Sequence, residues 1–308
     1  MEDGTLMRIN AWRAAGTLAL AVALLGADWT RAIPADRPLG VAGGGAVATS
    51  DLPAPGSLGS ASARPALPRV AASSVIVENL DTGAILFARR PDQRRPIASL
   101  TKIMTAMIVL QATAPADAVT MTTLAASQRP TALGLPAGQR MDVHDLLYAL
   151  LLHSSNDVAV ALAQHISGSV AAFDDRMTRQ GVAIGLRATR FASPSGLNDS
   201  GYSTARDVAT LTRWAYRSPA FASIVATRWY SIRMPSGKSV RLRNLNDLLF
   251  DYRGAIGAKT GFTLRSGWSL AGAASRGGVR LLVVLLGDPN LPFRDGAAVL
   301  NWAFRTVG

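Results

Sequence analysis

Cysteine is absent from the 308 residues. That excludes a disulfide framework, a thiolate metal site and a catalytic thiol. Histidine is nearly as scarce. His144, His153 and His165 show no H-E-x-x-H or other zinc-ligand spacing, so no metal is expected. Glutamate occurs only at Glu2 and Glu78, and lysine only at Lys102, Lys238 and Lys259. A long hydrophobic run is missing too. The stretch from Ala14 to Leu25 is about 12 residues, short of the roughly 20 that span a bilayer as a helix. It follows Arg8 and Arg13 and precedes the small residues Gly26-Ala27. A basic start, a short apolar run and small residues form the signature of a secretory signal peptide, with an uncleaved anchor as the alternative. A location outside the cytoplasm is therefore expected, with membrane contact at most through this segment.

What is present is apolar and basic. Apolar residues make up 49% of the chain and charged residues 17%, a balance that favours a globular body over a disordered one. The net charge of +12 comes from 29 arginines and 3 lysines against 18 aspartates and 2 glutamates. This favours anionic surroundings such as acidic lipid or acidic wall polymers. The basic residues are scattered and form no nucleic-acid patch, so no nucleic-acid partner is expected. Three regions are expected: residues 1–32 as signal peptide or anchor, 33–69 as a tether rich in Ala, Pro, Gly and Ser, and 70–308 as one catalytic domain.

Within that domain, Ser74–Leu80 and Ala84–Ala88 are β-prone runs around the turn Asp81-Thr82-Gly83. Ala98–Leu110, Val143–Leu152 and Val158–His165 predict helices. Tyr230–Met234 and Ser239–Arg243 flank Pro235-Ser236-Gly237-Lys238 as a second hairpin. Trp268–Ala274 and Val279–Leu286 predict buried strands, and Arg294–Phe304 a closing helix. Strands, then helices, then strands and a helix point to an α/β sandwich whose antiparallel sheet is interrupted by a mostly helical insertion.

Three short motifs carry chemistry. Ser99-Leu100-Thr101-Lys102 opens a helix, where positions i and i+3 share a face. A serine hydroxyl is a weak nucleophile until a base takes its proton, and lysine serves as that base only when desolvation or a nearby cation lowers its proton affinity. The plainer reading is a serine cap with a lysine in the first turn. Ser154-Ser155-Asn156 lies between two helices. Its hydroxyl can relay a proton and its amide can bind a carbonyl, but Ser154-x-x-Asp157 also matches a capping box. Lys259-Thr260-Gly261 supplies a cation and a hydroxyl beside a glycine, suited to gripping a carboxylate while a substrate backbone comes close. A degenerate phosphate loop fails there, because the glycine does not directly precede the lysine.

In this order the three motifs form the set found in penicillin-binding proteins and class A β-lactamases. With its surrounding residues the chain resembles the D-alanyl-D-alanine carboxypeptidases of low-molecular-mass penicillin-binding type. The resemblance runs through Arg95-Pro96-Ile97-Ala98-Ser99-Leu100-Thr101-Lys102-Ile103-Met104-Thr105 and Ser154-Ser155-Asn156-Asp157, then Pro194-Ser195-Gly196-Leu197 and Lys259-Thr260-Gly261-Phe262-Thr263. It implies a five-stranded antiparallel sheet flanked by helices, with a mostly helical inserted subdomain. It also implies Ser99 as acylated nucleophile, Lys102 as its base, and Ser154 and Asn156 as helpers in proton transfer and substrate holding. Lys259, Thr260, Gly261 and Phe262 are implied in substrate binding, with the backbone N–H groups of Ser99 and Phe262 as the oxyanion hole. The implied partners are peptidoglycan stem peptides, with β-lactam antibiotics as inhibitors and no cofactor.

A D-alanyl endopeptidase would use the same catalytic residues with a different cleft. A class A β-lactamase deacylates through a glutamate, and both glutamates here precede Ser99. A non-catalytic wall-binding module is opposed by the intact motifs. Pro194-Ser195-Gly196 and Thr204-x-x-Asp207 are expected to be structural, as a turn and a helix cap, and His153 to pack locally. Many family members continue into a β-rich domain and an amphipathic membrane helix. This sequence ends at Gly308, so that route to the membrane is expected to be missing. Leu264-Arg265-Ser266-Gly267-Trp268 departs from the usual acidic-small-Gly pattern and leaves that side of the cleft individual to this chain.

Overall fold

The computed structural model describes residues 66–307. The expected signal or anchor segment, and nearly all of the expected tether, lie outside the described residues.

The first hairpin joins β1 (Ser74–Asn79) to β2 (Ile85–Arg89). Its turn is built by Asn79, whose Oδ1 accepts from the N–H groups of Asp81 and Thr82 at 2.9 Å, and by Gly83 at φ +73°. A 3₁₀ turn at Ala98–Thr101 runs directly into α1 (Lys102–Ala112). The insertion follows: β3 (Ala118–Thr120), α2 (Thr123–Ala126), β4 (Arg140–Asp142), α3 (Val143–Leu151), α4 (Asn156–Ser167) and α5 (Val170–Ala183). Next come α6 (Ala205–Ala215) and α7 (Pro219–Ala226), capped by Thr204 and Ser218 side chains. The second hairpin is β5 (Trp229–Arg233) with β6 (Ser239–Arg243), followed by α8 (Leu248–Asp251). The chain closes with β7 (Ala255–Thr263), β8 (Gly267–Arg276), β9 (Val279–Asp288) and α9 (Phe293–Val307).

The main sheet has five antiparallel strands in the order β2-β1-β9-β8-β7. Its fold is the expected one, with the insertion set between the first hairpin and the last three strands. Central strand β9 shows how the layers form. Leu282, Val284 and Leu286 enter a core shared with α1, α3, α4 and α6, while Leu281, Val283 and Leu285 enter a second core under α9. A strand buried on both faces needs a continuous apolar run rather than alternation, and Leu281–Leu286 is such a run. Helix α1 lies in the larger core, with every residue from Lys102 to Val109 buried. An apolar helix surrounded on all sides is what its lack of a polar face requires. The one charged residue inside it is Lys102. Among the described residues no helix is long and apolar enough to cross a membrane.

Candidate active site

Ser99 sits in the 3₁₀ turn at the entrance to α1, pinched from two sides. A Cβ on Gly196 would lie 1.9 Å from the Ala98 carbonyl oxygen, and one on Gly261 would lie 2.8 Å from the Ser99 nitrogen. Strand β7 and the Pro194–Gly196 turn can therefore approach only because both positions are glycine. The missing side chain of Gly261 thus admits the turn that carries Ser99, and Gly261 also lines the cavity beside it. Ala98 is held at φ +46°, a left-handed conformation costly for a residue with a Cβ.

The spacing of Ser99 and Lys102 does bring them together. Lys102 is fully buried, and its Nζ lies 2.9 Å from Ser99 Oγ, 2.7 Å from Asn156 Oδ1 and 2.7 Å from the Ser195 carbonyl oxygen. Asn156 Nδ2 donates to the Pro130 carbonyl, which fixes the amide with its oxygen toward the lysine. Lys102 is held well below the ordinary lysine range, first by burial and second by the charge of Lys259, against a smaller opposing pull from Asp157. Losing a proton leaves the amine with two N–H groups and one lone pair. Asn156 Oδ1 and the Ser195 carbonyl accept only, so they take the two N–H groups. The lone pair is left for Ser99, the one neighbour able to donate. Burial, a second cation and two obligate acceptors thus combine to make a base aimed at a hydroxyl.

Two simpler readings of the sequence are corrected here. Ser154 does not cap α4. The cap position is Ser155, with no side-chain capping bond, and Ser154 is buried at φ +64°. Asp157 turns its carboxylate to the 131–135 loop instead, accepting from the N–H groups of Leu133 at 3.0 Å, Gly134 at 2.9 Å and its own neighbour Val158 at 2.8 Å. Pro194-Ser195-Gly196 is a turn, as expected, but also part of the lysine's surroundings. The Ser195 carbonyl holds Lys102, and the Pro194 carbonyl accepts from Thr105 Oγ1 at 2.7 Å. Thr204 caps α6 by accepting from Asp207 N–H at 3.0 Å, as its spacing predicts. His153 is half-buried, and burial lowers its proton affinity.

An open cavity of about 400 Å³ connects the three motifs, with Ser99, Ser154, Thr260, Gly261 and Phe262 in its wall. Lys259 is buried out of it. The ammonium makes one hydrogen bond, to the Thr260 carbonyl at 3.1 Å, and burial brings the group down to about 7. Arg243, Leu245, Asp247, Leu291 and Phe293 also line the cavity, together with Trp268 from the segment expected to make one side of the cleft individual to this chain. The first five belong to no motif, and no local signal marks them. Phe262 and Trp268 lie with ring centroids 4.6 Å apart. Among the described residues no group of three or more His, Asp or Glu is arranged to hold a metal ion.

This sheet, its helical insertion and the three-motif cavity define a DD-peptidase with the β-lactamase-like fold of penicillin-binding proteins. Solved structures agree. The D-alanyl-D-alanine carboxypeptidase of Mycobacterium tuberculosis superposes with a TM-score of 0.75 at 30% identity, covering 79% of this chain and 95% of that one. The Streptomyces K15 DD-transpeptidase gives 0.74 at 30% identity, covering 78% and 100%. Among curated sequences, the D-alanyl-D-alanine carboxypeptidase of Streptomyces sp. (strain K15) is 34% identical over 84% of this chain and 96% of its own length. The D-alanyl-D-alanine carboxypeptidase DacF of Bacillus subtilis is 32% identical over 76% of this chain, which spans 62% of that relative. The family profile for D-alanyl-D-alanine carboxypeptidases, peptidase family S11, matches residues 61–290. The chain belongs to that family.

Proposed function

We propose that this protein is a serine-type D-alanyl-D-alanine carboxypeptidase that trims peptidoglycan stem peptides through a Ser99 acyl-enzyme. The observation that carries the proposal is the buried Lys102 amine, 2.9 Å from Ser99 Oγ with its other two neighbours able only to accept. In this reading Lys102 takes the Ser99 proton as Oγ attacks the carbonyl of the penultimate D-alanine. The backbone N–H groups of Ser99 and Phe262 face the oxyanion, a kind of stabilisation commonly worth about 3 kcal/mol. Ser154, in the same cavity wall, returns a proton to the departing D-alanine amine, and Asn156 holds the lysine and the substrate. Water then releases the trimmed peptide. Thr260 and the buried charge of Lys259 favour a substrate ending in a free carboxylate. β-Lactams acylate the same hydroxyl.

No cofactor enters this scheme, and nucleic acid has no part in it. We place the protein outside the cytoplasm, residues 1–32 serving as signal peptide or anchor, 33–69 as tether and 70–308 as catalytic domain. A β-lactamase reading is disfavoured, because Glu78 sits on β1 with Arg213 Nε 3.3 Å from its carboxylate, away from the cavity wall. An endopeptidase reading has support from two relatives named D-alanyl-D-alanine endopeptidase, one from Escherichia coli, 32% identical over 66% of this chain, and one from Pseudomonas aeruginosa, 31% identical over 76%.

The test is intact mass over time after mixing the protein with benzylpenicillin, with Ser99→Ala as control. A persistent adduct on the unaltered protein alone supports the proposal. Consumption of the drug without an adduct indicates a β-lactamase, and untouched drug a binding module. Release of D-alanine from a pentapeptide, against cleavage of a cross-linked dimer, then separates carboxypeptidase from endopeptidase.

A further inference from the structure

Three of the arginines, Arg233, Arg241 and Arg243, are gathered on one surface by the β5–β6 hairpin. The register pairs Trp229 with Arg243, Ser231 with Arg241 and Arg233 with Ser239. Side chains alternate across a strand, so these six share one face. The opposite face carries Tyr230, Ile232, Val240 and Leu242, which pack on the larger core. The six-residue face is left open: Trp229, Ser231, Arg233, Ser239 and Arg241 are all exposed. Arg241 lies over the Trp229 ring at 4.4 Å and Arg243 over the Phe250 ring at 4.2 Å. Stacking of this kind keeps a guanidinium's in-plane N–H donors available.

Only one carboxylate answers this charge. Asp247 lies 2.7 Å from Arg243, and among the described residues neither the Arg233 nor the Arg241 side chain has an ion-pair or hydrogen-bond partner. Arg243 and Asp247 also belong to the wall of the Ser99 cavity. The cationic face is therefore continuous with the cleft.

We infer that the open face of the β5–β6 hairpin is a docking surface for the carboxylate-bearing peptidoglycan network, holding the polymer while one stem peptide occupies the cleft. The inference rests on the carboxypeptidase reading and deepens it. Charge complementarity favours a polyanion, and continuity with the cavity through Arg243 favours the polymer whose peptides the cavity takes. Attraction of this kind raises the local concentration of an anionic substrate and weakens as salt screens it.

The experiment compares the full chain with Arg233→Gln/Arg241→Gln and with Arg233→Lys/Arg241→Lys. Each is sedimented with purified sacculi at low and high salt and assayed on a soluble pentapeptide. The expected result is at least a roughly fivefold loss of sacculus binding in the glutamine variant, a similar loss for the parent in high salt, and recovery in the lysine variant. Turnover of the soluble peptide stays at the parent value in all three. Salt-insensitive binding, or unchanged binding in the glutamine variant, overturns the inference. So does failure of the lysine variant to recover, or arginine-dependent capture by anionic phospholipid vesicles with none by sacculi. Benzylpenicillin acylation is read in parallel: if it is normal when docking fails, only the docking surface is lost, and if it is absent, the carboxypeptidase reading falls.

Discussion

Replacing Lys259 by methionine should make the protein more stable and less active at the same time. Lys259 is fully buried, and burial brings it from 10.5 to about 7. At 1.36 kcal/mol per tenfold change in proton affinity, keeping this group charged inside the fold costs on the order of 5 kcal/mol. Below about pH 7 the folded and unfolded chains both hold the proton, and the folded state carries the full cost. Between about 7 and the unfolded value near 10.5, the unfolded chain keeps a proton that the folded chain has shed. Stability therefore rises with pH across that window. Methionine has similar length and no charge, so Lys259→Met removes the cost. The Tm of the variant should exceed the parent's by roughly 10 °C at pH 6, with the gap closing as pH approaches 10. Thermal unfolding followed by circular dichroism at several pH values reads this directly. A variant less stable than the parent at pH 6, or a gap that does not change with pH, would refute the reasoning. Activity should move the other way. Losing the buried cation should lower kcat/KM for substrates with a free terminal carboxylate by about a hundredfold, and their amidated analogues much less. Lys102 would also lose the repulsion that helps keep it neutral, so the acidic limb of acylation should move to higher pH.

Three other substitutions probe the site separately. Lys102→Arg keeps a cation beside Ser99 but cannot give up its proton, so penicillin acylation should fall by about a thousandfold, measured by intact mass. Gly261→Ala places a Cβ 2.8 Å from the Ser99 nitrogen and 3.1 Å from the Ile97 carbonyl oxygen. It should cost about 1–3 kcal/mol in denaturant unfolding and slow acylation by roughly tenfold or more as β7 and the Ser99 turn move apart. Asp157→Ala strips three backbone N–H groups of their acceptor and should destabilise by about 2–4 kcal/mol, read as a lower denaturant midpoint. An unchanged midpoint would mean that water replaces the carboxylate.

Much of this protein was legible before any fold was known. The Ser99–Lys102 contact follows from helical spacing, because residues three apart lie on one face whatever surrounds them. Leu281–Leu286 announces a strand buried on both sides, and Asp81-Thr82-Gly83 a hairpin, through patterns confined to a few residues. The absence of cysteine closes off thiol chemistry regardless of fold. Other features depend on segments far apart in the chain. Asp157 looked like the end of a capping box, and only packing of the 131–135 loop against α4 gave its carboxylate other donors. Ser195 joins the lysine site through its carbonyl, a group every residue possesses and no sequence pattern can single out. Lys102 and Lys259 lose their proton affinity because whole layers of the fold exclude water from them, and desolvation is a property of the assembled core rather than of any motif. Arg233, Arg241 and Arg243 became a surface only when the hairpin register placed them on one face, with the opposite face already claimed by the core.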